Sequence, residues 1–209
     1  EKKRLKDSVN SLPRFRYMDI FNARTYSYGQ KGLGARLTLI GFQSGYNAVD
    51  GYQLSRRVDY RYTYKLANYF GTGLDVRYAF SRKAWNGMAY IERNWDENRQ
   101  FLQFAGGSTV EQINSTEPIS TTVNLFYALF LSQNYLKLYQ KDFIKANYAV
   151  QLNSKWNVNS TLEYRSRSSL ENHEENGFFY KERRFESNGN PFSTSQQVFG
   201  SIVVRYQPF

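Results

Sequence analysis

Cysteine is absent from this 209-residue chain, histidine occurs once and proline four times. The first absence removes disulfides, thiolate nucleophiles and cysteine metal sites. It does not fix a redox compartment, because an oxidising location permits disulfides without requiring them. With His173 the sole histidine, a Ser-His-Asp triad or a multi-histidine metal site must use it or not exist. No apolar run approaches the roughly 18–20 residues of a transmembrane helix; the longest, LFYALFL, covers 125–131. Nor does the opening EKKRLKD supply the apolar core of a secretory signal, so residue 1 reads as a processed or cut boundary that is silent about destination.

What the chain does have is aromatic residues, 18% of the total, with Tyr 18 and Phe 16, and a net charge of +10. That aromatic content is far too high for a disordered chain. The length allows one sizeable domain. Residues 1–22, with the KKRLK run, read as a linker or periplasmic lead-in, and residues 23–209 as the folded domain.

From residue 23 the dominant signal is alternation with period two. In 56–66, Val58, Tyr60, Tyr62, Tyr64 and Leu66 fall on one side of a strand, and Arg57, Asp59, Arg61, Thr63 and Lys65 on the other. The next run repeats this: Phe70, Leu74, Val76, Tyr78 and Phe80 oppose Gly71, Gly73, Asp75 and Arg77. Only Ala67 and Asn68 separate the two runs, which is hairpin spacing. Further strands are expected at 23–29, 34–42, 84–94 and 99–107. Three more follow: one with Ile144, Tyr148 and Val150 on its apolar side, one with Trp156, Leu162 and Tyr164 against Glu163, Arg165 and Arg167, and one with Val198, Ile202, Val204 and Tyr206. Residues 118–141 lack clean alternation and read as a helix or helical turn closing one end of the sheet, with Pro118 at its start and Ser120 or Thr121 as its cap; a strand pair turning at SQN is the alternative. Residues 171–195 read as a long charged loop.

Eight or nine such strands with short and long connections predict an all-β, antiparallel transmembrane barrel, seen in part. The runs 52–66 and 69–82 exceed the roughly 5–6 residues of soluble strands and match the roughly 9–11 that cross a bilayer at a tilt. Neighbouring tyrosines in a dry core would each need a hydroxyl partner, whereas at a membrane interface the ring is buried and the tip is wet. On this reading Val58, Tyr60, Tyr62, Tyr64, Phe70, Val76, Tyr78, Phe80, Tyr148, Val150, Trp156, Tyr164, Ile202, Val204 and Tyr206 face lipid. The charged residues Arg57, Asp59, Arg61, Lys65, Asp75, Arg77, Glu163, Arg165 and Arg167 face the lumen as ion pairs. A soluble β-barrel binding module is the alternative, its apolar side turned inward.

Three strings carry a resemblance: YNAVDGYQL (46–54), EPISTTVNLFYALFLSQNYLKLYQKDF (117–143) and LEYRSRSSLENH (162–173). In this order they are similar to an outer-membrane family of Bacteroidota, proteins of unknown function with a carboxypeptidase-regulatory-like domain at the N-terminus. The resemblance spans roughly 6–209. It implies a longer protein with a periplasmic sandwich before this region and more strands after it; the name of that sandwich implies no peptidase. Pro208, which removes a ladder donor, and Phe209, out of register with Val204 and Tyr206, agree with an internal portion of a larger barrel.

No chemistry stands out. His173 lies among Glu171, Glu174 and Glu175, without the spacing of a zinc motif. GTG at 71–73 is too short for a phosphate loop and reads as relief of crowding or an allowance for bending in a strand. NST at 114–116 matches a glycosylation acceptor. Asp59, Asp75 and Glu163 read as partners of arginines, not as catalytic carboxylates. Basic charge among aromatics also suits single-strand nucleic-acid binders, but long two-sided strands argue against that. The expectation is a non-enzymatic protein of the bacterial outer membrane without cofactor, metal site or nucleic-acid partner. Its partners are outer-membrane lipid and other outer-membrane or periplasmic subunits of an assembly, secretion or uptake complex. A stand-alone channel or transporter is the alternative.

Overall fold

A computed structural model describes residues 16–29, 33–65, 68–95, 99–114, 118–189 and 193–207. The KKRLK run, Leu66 and Ala67 of the expected hairpin, Ser115 and Thr116 of NST, and Pro208 and Phe209 lie outside the described residues.

The strands are β1 (Arg24–Tyr28), β2 (Gly34–Leu39), β3 (Gln43–Asn47), β4 (Gly51–Lys65), β5 (Asn68–Ala79), β6 (Ala84–Trp95), β7 (Gln100–Gln112), β8 (Leu138–Gln151), β9 (Trp156–Ser169) and β10 (Ser195–Tyr206); one helix, α1, spans Thr121–Leu131. All belong to a single antiparallel sheet of order β1-β2-β4-β5-β6-β7-β8-β9-β10. β3 lies off this path and pairs with the first half of β4, from Asn47↔Gly51 to Gln43↔Ser55. β2 takes the second half, from Leu39↔Val58 to Gly34↔Thr63. β2 and β3 are thus one interrupted strand, and Ile40 N–H still donates to the Arg57 carbonyl (3.0 Å) at the break.

The all-β antiparallel sheet expected from the alternation is present. Among the described residues it is open: β1 and β10 are its edges, and no pairing joins them. β1 has five residues and β10 twelve, so the two edges could match over less than half of β10. One expectation needs correction: the helix is shorter than 118–141. Ser120 caps its start through Val123 N–H, and Ser132, in the left-handed region (φ 49°), ends it. LKLYQK then enters β8, because β7 continues to Gln112 and pairs with Leu138. The conformation of that segment is decided by a sheet partner distant in sequence.

The two sides of the sheet differ from each other and from a globular core. Side chains alternate across each strand, and register carries one parity through every neighbour. On the apolar side, Val198 and Ile202 are 73% and 74% exposed, and Ile144, Leu74 and Leu162 are also exposed. Two clusters of buried apolar residues lie at one end of the sheet: Tyr46, Ala48, Ala128 and Phe185 form one, Val49, Leu136 and Leu138 another. This end, the cap, consists of β3, the turn at 48–50, α1, residues 132–137 and the connection 170–189. The opposite end carries tight connections, including Leu152–Lys155 between β8 and β9.

Residues 16–22 lie against the β1 end of the apolar face. Asp19, in a 3-10 turn, accepts hydrogen bonds from Arg16 N–H (2.7 Å), the Arg24 guanidinium and the Tyr26 hydroxyl. Its carbonyl accepts from Arg56 Nη2 (3.2 Å), and Phe21 packs on Phe42. Tyr26 is left 1% exposed.

Candidate functional site

The polar side of the sheet is an ion-pair network built on two glycines. Arg57 Nε donates to both oxygens of Asp59 (3.0 and 3.1 Å), and the Tyr90 hydroxyl donates to Asp59 Oδ1 (2.7 Å). Gly73 pairs with Asp59 on one side and Tyr90 on the other, and a Cβ there would stand 2.3 Å from the Tyr90 ring. Gly71 likewise separates Arg61 from Glu92, and its missing side chain lets Glu92 reach Arg61 Nη2 (3.5 Å). The GTG stretch therefore makes room for two cross-strand contacts that skip a strand. On β8 and β9, Lys141 meets Glu111 (3.3 Å) and Glu163 (3.1 Å), with Arg165 at 3.6 Å from Glu163. Arg167 stacks over Tyr139.

Register places Arg57, Asp59, Arg61, Asp75, Arg77, Glu163, Arg165 and Arg167 together on this side. Lys65 departs from the row: a register shift after Thr63 sets it opposite Asn68, where it is exposed.

The apolar side carries Val58, Tyr60, Tyr62, Phe70, Val76, Tyr78, Tyr148, Val150, Trp156, Tyr164, Ile202, Val204 and Tyr206 by the same register. Phe80 joins them through an edge contact with Tyr78 (4.9 Å), and Tyr64 through Arg93, whose guanidinium lies over its ring. Aromatics concentrate at the two ends of this face. Toward the cap, Trp85 packs on Tyr78 (4.7 Å) and Tyr52 on Phe80 (5.5 Å). Toward the tight turns, Trp156 packs on Tyr206 (4.8 Å), and Arg93 bridges Tyr64 and Trp95. Between the two lie Leu74, Ala89, Ile91, Ile144 and Leu162. All three tryptophans stand on this face.

The band runs obliquely across the strands. The row that holds Arg56 and Val76 at the β4 side continues through Ser108, Asp142, Ser166 and Gln196. On β8–β10 the apolar stretch is thus displaced away from the cap, to Ile144–Leu152 and Trp156–Tyr164.

The cap joins residues from the three strings that carried the resemblance. Asn47 Oδ1 accepts from Val49 N–H (2.9 Å) and Asp50 N–H (2.8 Å), which closes the turn into Gly51 (φ 65°). Asp50, fully buried, is clamped by Arg77 and by Arg82 Nε (2.9 Å); Arg82 also bonds Gln140 and Asn86. Asn124 on α1 accepts from Tyr135 N–H (2.8 Å) and Leu136 N–H (3.2 Å) and donates to Asn134 (3.0 Å). Asn188 bonds both backbone groups of Leu138 and donates to the Leu170 carbonyl (2.6 Å). The amides of His173 and Glu174 donate to the Ala48 carbonyl (3.0 Å each). The Asn47, Asn124, Asn188 and Ala48 contacts supply partners to backbone groups at turns and element ends, and the arginines partner the buried Asp50 carboxylate.

His173 serves the cap through its backbone, and its ring Nδ1 lies 3.2 Å from the Glu171 carbonyl oxygen. Among the described residues, no three His, Asp or Glu side chains group as metal ligands. Asp59 and Glu163 are engaged by arginine or lysine, and Asp75 lies opposite Arg57. The alternation did not single out Asp50, Asn124, Asn188, Tyr90 or Glu92. Asp50 and Asn124 did fall within the quoted strings, so those strings were the available signal.

Neither a curated protein nor a solved structure matches the chain. A family model matches residues 18–209, nearly its whole length. The chain therefore belongs to a family of unknown function (DUF5686), as that family's C-terminal domain.

Proposed function

We propose that this domain is a wall of an outer-membrane β-barrel, its apolar face against hydrocarbon and its ionic face toward water. It acts as a non-enzymatic accessory subunit of an outer-membrane assembly, secretion or uptake complex of Bacteroidota. The observation that carries this reading is the pair of aromatic belts with aliphatic residues between them. Trp85 and Trp95 are ten residues apart on β6. At about 3.3 Å per residue that is about 33 Å along the strand. A tilt of about 40° reduces it to about 25 Å of height, the apolar band of an outer-membrane barrel. The oblique course of the band is what tilted strands produce when the membrane is level. The long connections at the cap fit the outer side of the membrane and the tight turns the periplasmic side. Carboxylates engaged by arginine and lysine suit a structural interior more than catalysis.

Reconstitution with lipids brominated at known depths tests the membrane reading. Tryptophan emission is expected to be quenched strongly, most by bromines near the headgroups; unquenched emission overturns the reading. Purification in mild detergent tests the subunit role: co-purifying outer-membrane or periplasmic protein is expected, and a lone monomer rejects it. A stand-alone channel is the second reading, favoured by the arginine-rich polar face, and a silent planar bilayer rejects that.

A further inference from the structure

On the polar face, Arg36 of β2 and Arg61 of β4 are direct register partners. Like charges directly opposite one another destabilise an antiparallel pair. The carboxylates nearby are already engaged. Asp59 holds Arg57 Nε and the Tyr90 hydroxyl; Glu92 holds Arg61 weakly (3.5 Å) through one oxygen and Gln103 (3.1 Å) through the other. Arg36 has no carboxylate partner among the described residues. These side chains line one cavity of about 350 Å³, in which three guanidinium groups face two carboxylates.

We propose that this cavity binds an oxyanion, a phosphate or a carboxylate group, between Arg36, Arg57 and Arg61. Guanidinium forks match both geometries with paired hydrogen bonds. Two of the forks are held before any ligand arrives. Arg61 lies over the Tyr69 ring (4.1 Å), and Arg57 lies over Tyr90 (5.5 Å) with its Nε fixed by Asp59. Holding a side chain in its bound orientation lowers the entropic cost of binding. Arg36 is exposed and supplies the third, uncommitted charge. The volume admits a small anion or a dicarboxylate and no more than a small metabolite. An anion seated here removes the repulsion between Arg36 and Arg61, which is what couples binding to stability.

Isothermal titration of the full chain in uncharged micelles, at fixed ionic strength in chloride, tests this with inorganic phosphate and, separately, succinate. Saturable binding of at least one is expected. Phosphate alone assigns a phosphoryl ligand, succinate alone a carboxylate, and both a general oxyanion site. Arg36→Gln and Arg61→Gln are each expected to weaken binding at least tenfold, and Arg165→Gln, on the same face but on β9, to leave it within twofold. Without ligand, Arg36→Gln is expected to raise the melting temperature by relieving the like-charge pair. Absence of saturable heat with both anions, binding indifferent to Arg36→Gln, or a lower melting temperature in that variant overturns the proposal. Lipid quenching reads the opposite face, so either reading can fail without the other.

Discussion

In the cap, a buried carboxylate and several asparagines close hydrogen bonds on irregular backbone. In the wall, carboxylates and arginines pair on a face open to water, while the other face exposes rows of apolar side chains. Among the described residues, fully buried polar groups such as Asp50 and Asn124 thus stand beside the buried apolar clusters, and much of the sheet exposes its side chains. Buried polar groups are costly unless every one has a partner, so the cap must be specified residue by residue. The wall needs only the right kind of residue at each parity.

The comparison breaks first if the cap proves tolerant. Asp50→Ala removes the carboxylate between Arg77 and Arg82 and leaves buried guanidinium charge; a loss of about 3–5 kcal/mol is expected in denaturant titration. Asn124→Ala orphans the amides of Tyr135 and Leu136, with about 2–4 kcal/mol expected in the same measurement. Leu162→Arg, in the middle of the apolar face, is expected to cost about 2–4 kcal/mol in a bilayer, by folding titration into vesicles. Little effect there would mean that water, not lipid, covers that face. Gly73→Val drives a side chain into Tyr90 and Asp59, with about 1–3 kcal/mol lost. A Cβ at Gly200, on the apolar face, would meet no described atom within 4 Å, and Gly200→Val is expected to be neutral.

A small, pH-dependent effect concerns the residue 16–22 segment. The Tyr26 hydroxyl, helped by the Arg16 amide and Arg24 and opposed by burial, holds the Asp19 carboxyl below its ordinary value of 3.8. A depressed value stabilises the fold above the unfolded value, and this contribution disappears as pH falls through the folded one. The melting-temperature gap between wild type and Asp19→Asn is expected to hold from pH 7 to about 5 and to shrink below 3.8.

Much of the wall was legible in the sequence, because 56–66 and 69–82 alternate aromatic with ionic residues and strand geometry allows one interpretation of that pattern. The roles of Gly71 and Gly73 were legible only as a choice between relief of crowding and bending, and the close approach of Glu92 and Tyr90 decides for the first. Their beneficiaries, Tyr90 and Glu92, were not, since they lie a strand away. The cap was not legible as a structure. Asn124, Asp50 and Asn188 act on groups far along the chain or on turns, and no local period records such contacts. The end of α1 was hidden for a related reason: 118–141 lacks clean alternation throughout, and pairing with β7 is what makes the residues from Leu138 a strand. Closure depends on what stands beside β1 and β10, which alternation within a strand does not describe.

β10 ends the sheet with twelve residues, no proline, a single charge at Arg205 and the run VFGSIVV along it. Such an edge is a template for any extended chain that meets it. Handled in water without its natural neighbour, this domain is expected to stick to itself along that margin. Truncation before Ser195, or a lysine placed at Val203, is then the practical route to well-behaved samples.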